Sequence, residues 1–452
     1  MLLSSLHNKK TSIKPEVNGN RYSFIAVLVC IYIFLVIERP WESIRYLHEI
    51  PIERTFAVFL ILCSFLNGKF AVERSLTNFW VYGLLLLHFL LAPFSYSFEY
   101  SVETGIEYAK MVVLYLLMLS VARDEDSLRF LVKAFVFTMF IYMSHSLLEY
   151  FNGRHVYRMG ISRMVGVDET YSDPNTFGAS VVLCLPFVYT LLKSETKPIL
   201  RKLYLGHFAL AVVCVILTGS RSASIALVFL SLAWALTQKG MKKFRILILV
   251  LIALGAVWTV MPAEKRERIQ TLWDEDVGPK GAHQSAEGRL AGWRVSWEMF
   301  KQHPITGVGP GGQNYMGYRV AHNVDSLFGN LPSPTQSHHL YGEVLAEFGV
   351  VGAFLFGGLV LSIWYQARRV QKKFVVHREK EYPFAYWLGA AIVIALLLLL
   401  LLGFGGHNFY RPLWLWLAAW SGSLAHLAEA RSDLLPEGSI KGQCDVNKLK
   451  AT

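Results

Sequence analysis

The chain has 452 residues, 54% hydrophobic and only 17% charged, with a mean hydropathy of +0.37 and a formal charge of +11. Soluble domains average about 25% charged residues, so the composition excludes an ordinary soluble domain and points to a polytopic membrane protein. The positive charge does not indicate a nucleic-acid partner, because Lys and Arg stand in short clusters between apolar runs, the pattern that encodes membrane topology.

The polar start, residues 1–21 with Lys9, Lys10, Lys14 and Arg21, leads into an apolar run without a convincing small-residue cleavage site. That pattern reads as a retained signal anchor. A membrane span needs roughly 20 apolar residues. By that criterion the sequence predicts twelve spans, near 22–37, 54–67, 78–94, 106–122, 128–151, 175–192, 202–218, 222–237, 243–260, 343–366, 383–402 and 408–428. The fold expected is therefore an all-α, polytopic helical bundle with one large periplasmic loop. Residues 1–260 hold the first nine spans, 261–342 the loop, 343–428 the last three spans, and 429–452 a cytoplasmic tail expected to be disordered. With the N-terminus inside, the connections carry 27 Lys and Arg inside against 16 outside, eight of the latter in 261–342. Positive charge marks the cytoplasmic side, so both termini are expected inside and the loop outside, in a bacterial inner membrane. Cys30, Cys63, Cys184 and Cys214 lie in apolar runs and Cys444 in the tail, without metal-ligand spacing. They read as small hydrophobes.

Against this apolar background, residues 287–349 are polar, basic and rich in histidine. Arg221 lies in the Gly-Ser-Arg-Ser turn (219–222) between two spans; a guanidinium at that depth must be paired or face water. Its planar donor fork suits a phosphate or diphosphate, although a snorkelling arginine has the same sequence signature. Arg289 and Arg294 open an amphipathic stretch with Trp293 and Trp297, suited to the headgroup boundary. Gly-Val-Gly-Pro-Gly-Gly (307–312) lacks the Gly-Lys-Ser/Thr ending of a phosphate loop and reads as a backbone turn. His338 and His339 precede span ten; a neutral imidazole is a suitable general base for a sugar hydroxyl, and a helix-capping histidine is the plainer alternative. His339 and Glu343 share a helical face, but with no obvious third ligand a metal site is not expected. Asp168, Glu169, Tyr171, Asp173 and Asn175 precede span six, where Asp173 can cap the helix or contact sugar. His407 and Arg411 lie between the last spans and can line the same site. Lys110, inside a span, is expected to pair with a carboxylate within the bundle.

Taken together, these elements resemble the O-antigen ligase/polymerase superfamily, bacterial membrane glycosyltransferases that use undecaprenyl-diphosphate-linked glycans. The matching features are Gly-Ser-Arg-Ser at 219–222, Arg289-x-x-x-Trp293, Pro304 with Gly307-Val-Gly309, and His338 with Leu345-Ala-Glu347-Phe-Gly349. Members usually read His-Asn where this chain has His338-His339; counting back from Ala346-Glu347 selects His338. The resemblance implies a GT-C-like fold and an inverting transfer without metal or cofactor. It implies that Arg221 and Arg289 bind the donor diphosphate while His338 activates the acceptor hydroxyl. Arg294, His339, Glu343, Asp173, Asn175, His407 and Arg411 are the remaining substrate-binding candidates. The acceptor is lipid A–core for a ligase, another glycan repeat for a polymerase, or a protein hydroxyl; the overall layout favours the ligase. A twelve-span transporter is the competing class, but such proteins tend to show repeated halves and mid-membrane polar sites, and neither is visible here.

Overall fold

The computed structural model describes residues 23–68, 75–158, 161–274, 277, 280–328, 336–375 and 382–430. The chain-terminal expectations, the uncleaved anchor and the disordered tail, fall on residues 1–22 and 431–452 and lie outside the described residues. Apolar runs become helices because a helix satisfies every backbone donor and acceptor internally, which hydrocarbon demands.

In chain order the first group is α1 (Phe24–Glu38), the short α2 (Pro40–Ser43), α3 (Ile52–Leu66), α4 (Leu76–Leu91), α5 (Phe98–Val121) and α6 (Glu125–Phe151). A hairpin follows, β1 (His155–Arg158) paired antiparallel with β2 (Ile161–Met164), with Val156 opposite Arg163. Next come α7 (Pro174–Ser194), α8 (Pro198–Thr218), α9 (Arg221–Leu236) and α10 (Gly240–Val260). The polar segment contains α11 (Ala263–Gln270), α12 (Lys280–Gln302) and α13 (Gly312–Ala321), and the chain closes with α14 (Leu340–Val375), α15 (Pro383–Leu402) and α16 (Leu413–Ala430).

Each of the twelve predicted spans coincides with a helix, but among the described residues nine are long and apolar enough to cross a membrane. The other three, α3, α9 and α16, have 15, 16 and 18 residues. At 1.5 Å per residue α3 and α9 reach about 22 and 24 Å, short of a hydrocarbon core of ~30 Å, whereas α16 is long enough but is made less apolar by Ser421, Ser423, His426 and Glu429. The regular structure of the described residues is helical apart from a two-stranded hairpin before α7, in keeping with the all-α expectation. α7 runs through the middle of the bundle against α15, α8 and α9. Its Phe187 meets Phe135 and Trp420 at ring-centroid distances of 5.8 and 4.8 Å. α10 packs chiefly on α9 and is otherwise bare. Lys110 does pair with Glu107, but both side chains are largely exposed, on the wall of a cavity instead of inside the packed bundle.

The segment predicted as one long loop is mostly helical and has its own core of Val295, Met299, Val308, Tyr315, Tyr318 and Val324, closed by Ala346 of α14. The glycine turn docks it. Val308 N–H donates to the Ala346 carbonyl at 2.8 Å and Gly309 N–H to that of Glu347 at 3.2 Å, while Val350 N–H donates back to Pro304 at 2.8 Å. Gly349, at φ +61°, breaks the helical course of α14 where the turn arrives. The Pro-Gly-Val-Gly and Glu-Phe-Gly motifs are thus two halves of one backbone contact.

Candidate functional site

The turn between α8 and α9 is held from three sides. Gly219 supplies the left-handed conformation (φ +57°) that ends α8, and Ser220 caps α9. From β2, Arg163 donates through Nε to the Thr218 carbonyl at 2.8 Å and through Nη2 to Asn175 Oδ1 at 3.0 Å. The same Asn175 oxygen accepts from Ser220 Oγ at 2.9 Å. From α11, Arg268 Nε donates to the Gly219 carbonyl at 2.8 Å. Thr271 then accepts from Arg221 Nη1 at 2.9 Å and donates to the Arg268 carbonyl at 2.7 Å. Arg221, 5% exposed, is therefore fixed in direction before any ligand arrives. Asn175 is engaged in holding this turn.

Arg289 sits on α12 close enough to Arg221 for the two guanidiniums to repel, with Asp173 as the nearby counter-charge. Burial pulls the Arg289 guanidinium below its ordinary range and Asp173 opposes that shift. Its Nη1 lies against Gly405, where a β-carbon would stand 3.2 Å away. Asp173 caps α7, its Oδ2 accepting from the Asn175 and Thr176 amides at 2.9 Å. It also faces His407 and Arg411 electrostatically. Arg411 donates to Ser180 Oγ at 3.0 Å. Arg294, five residues beyond Arg289, is exposed and points roughly 140° away round the helix.

The two adjacent histidines separate in role. His339 Nδ1 accepts from the Gly342 amide at 3.3 Å, capping α14, and its ring packs on Trp293 at 4.7 Å. His338 takes a left-handed backbone (φ +47°), uncommon for a side chain with a β-carbon. Its Nδ1 lies 3.2 Å from Nδ1 of His407. His407 keeps access to solvent, yet desolvation by the surrounding protein, with His338 and Arg411 beside it, pushes its pKa down to about 4. Glu343 is buried and accepts from the Phe409 amide at 3.1 Å, so its carboxylate anchors the loop that carries His407 and Arg411. Glu347 does the same for the glycine turn, accepting from the Gly311 amide at 2.7 Å and the Tyr410 hydroxyl at 2.5 Å.

Arg221, Arg289, Asp173, Arg411, His407 and His338 thus form one electrostatic and hydrogen-bonded cluster. Asp168 is instead buried against the Tyr142 hydroxyl, and the Glu169 amide donates to Glu42 at 2.7 Å. Among the described residues no three His, Cys, Asp or Glu side chains are arranged to hold a metal. Arg411 and Tyr171 also line a cavity of about 580 Å³ with Arg39, Glu103, Lys110 and Gln313.

The O-antigen ligase family model matches residues 206–357, from α8 into α14. That match supports the O-antigen ligase/polymerase superfamily for this chain. The family segment carries Arg221, Arg289 and His338, whereas Asp173, His407 and Arg411 lie outside it and reach the cluster only through the fold. No curated protein matches the chain.

Sequence reasoning missed Arg163, Lys265 and Arg268. The last two belong to a Glu-Lys-Arg-Glu-Arg run (264–268) that resembles a solvated face, yet both are nearly fully buried beside Gly219. Lys265 Nζ has no hydrogen-bond partner. Burial, with Arg163 and Arg268 adding to it and Glu264 opposing, lowers its pKa to about 8. The unfolded chain keeps that proton until about pH 10.4, so between those values it binds more protons and stability rises with pH. The thermal midpoint is expected to climb from pH 8 to 10, by up to about 3 kcal/mol of stability. Lys265→Met should flatten the climb, and an unchanged slope in that variant would contradict the assignment.

Proposed function

We propose that this protein transfers a glycan from an undecaprenyl-diphosphate donor to an acceptor hydroxyl at the periplasmic membrane face, as an O-antigen ligase acting on lipid A–core. The observation that carries the reading is the convergence of Arg221 and Arg289 with the His338–His407 pair, whose Nδ1 atoms are 3.2 Å apart. Supporting it, the O-antigen ligase family segment spans all three of Arg221, Arg289 and His338. Neutral His407, accepting at Nδ1, leaves His338 with its proton on Nδ1 and an unprotonated Nε2. That nitrogen takes the acceptor proton as the acceptor oxygen attacks the anomeric carbon, inverting it. The bond from that carbon to the diphosphate oxygen breaks, and Arg221 and Arg289 neutralise the charge that gathers on the leaving group. The reaction needs no metal in this scheme. The cavity beside Arg411, with charged and hydroxyl groups on its wall, gives the acceptor saccharide an approach.

The test is reconstitution in proteoliposomes with a polyprenyl-diphosphate glycan and lipid A–core, followed by gel analysis of the product. His338→Ala should yield none, and chelator should leave the wild-type rate unchanged. Elongated lipid-linked glycan with no lipid A–core product would replace the ligase by a polymerase, and loss of activity with chelator would overturn the metal-free scheme.

A further inference from the structure

At the end of the bundle opposite the cluster, the start of α4, the end of α5, the far part of α14 and the end of α16 come together. Where they face one another the side chains are small, Ala122, Gly422, Ser423 and Ala425, and they leave a cavity of about 270 Å³. This is far more than the ~30 Å³ of one water. On a partly apolar wall it carries Arg123, Arg369 and Glu429 beside Ser75, Asn78, Gln366 and His426. Ser423 is 3% exposed and its hydroxyl has no hydrogen-bond partner. Arg369 meets Glu429 at 3.4 Å, but both side chains are 61% exposed; pairs of that kind contribute little and exchange readily.

The surroundings select among anions. Arg368, Lys372 and Lys373 extend the positive charge along α14. The outer faces of the same helices expose Leu76, Leu361, Trp364 and Tyr365. A phosphate lodged in the cavity would therefore have hydrocarbon-compatible surface directly beside it. Basic pockets between membrane helices recognise anionic headgroups in this way.

We propose that this cavity binds the phosphate headgroup of an anionic phospholipid, with its acyl chains along Leu76 and Tyr365. The Arg123 and Arg369 guanidiniums on the cavity wall are the donors to the phosphate. The site is separate from the glycan-transfer cluster, and its test does not depend on transfer activity.

The experiment is native mass spectrometry of the purified protein exchanged into mixtures of phosphatidylglycerol and phosphatidylcholine. The expected result is one retained phosphatidylglycerol per chain and no retained phosphatidylcholine. In the double variant Arg123→Gln/Arg369→Gln, retention should fall at least tenfold. Ala425→Phe, which fills the cavity without touching a charge, should lower it similarly, and a thermal midpoint for each variant checks folding. Retention of phosphatidylglycerol in both folded variants at the wild-type level would sink the proposal. So would full displacement of the lipid by millimolar inorganic phosphate, since the cavity would then be a simple anion pocket.

Discussion

Arg289→Ala is expected to lower the rate of glycan transfer by 10²–10³, about 3–4 kcal/mol of transition-state stabilisation. Among the described residues the side chain makes no hydrogen bond that α12 needs; its neighbours are Arg221, Asp173 and the backbone of Gly405. Its removal should therefore leave insertion and the thermal midpoint near wild type while transfer collapses. Arg221→Ala should lose as much rate but also some order in the α8–α9 turn, because Arg221 is bonded to Thr271 at 2.9 Å. Lysine at position 289 should recover only part of the activity, since a point charge cannot reproduce the planar fork. Initial rates in proteoliposomes decide the matter: if both alanine variants stay within about threefold of wild type, these residues do not bind the leaving diphosphate.

Gly307→Ala is expected to detach the polar segment from the bundle. A β-carbon at Gly307 would stand 2.3 Å from the carbonyl carbon of Glu347 and 2.5 Å from the Phe348 nitrogen. Both are backbone atoms of α14 and cannot swing aside. The residue also has φ +67°, which costs any L side chain about 1–2 kcal/mol. Together these effects should destabilise the docked segment by on the order of 4 kcal/mol, among the larger effects of single substitutions. Gly288→Ala is the matched control, because nothing lies within 4 Å of its added carbon. Limited proteolysis across 261–342 should show new cleavage in the first variant and none in the second. Equal protection in both would mean that the turn is not what docks the segment.

Much of the architecture is legible in the sequence because helices that face lipid or core must be apolar over their whole length. The hairpin was hidden because two four-residue strands carry too little periodicity to stand out, and Arg163 was hidden with it. Local pattern also misleads at 264–268, where a charged run on an eight-residue helix suggests a wet surface. Both Lys265 and Arg268 are buried instead, packed beside Gly219, and Arg268 reaches the carbonyl that this turn offers. Arg221, Arg289 and His338 stand out because each breaks an apolar or turn context with a specific chemistry. His407 is legible as part of the same site, but its direct pairing with His338, 69 positions away, is not, since the return of α15 and α16 creates it.

The two carboxylates on α14 have one more effect on the cluster. Glu343 grips the segment bearing His407 and Arg411, and four residues later Glu347 grips the glycine turn. Both loops are moored to the same rod, one helical turn apart, so neither can drift without dragging on the other. His338 directly precedes α14, and Glu343 on that helix holds the loop that carries His407, so the paired imidazoles are spaced through one helix, a far stiffer ruler than either loop by itself.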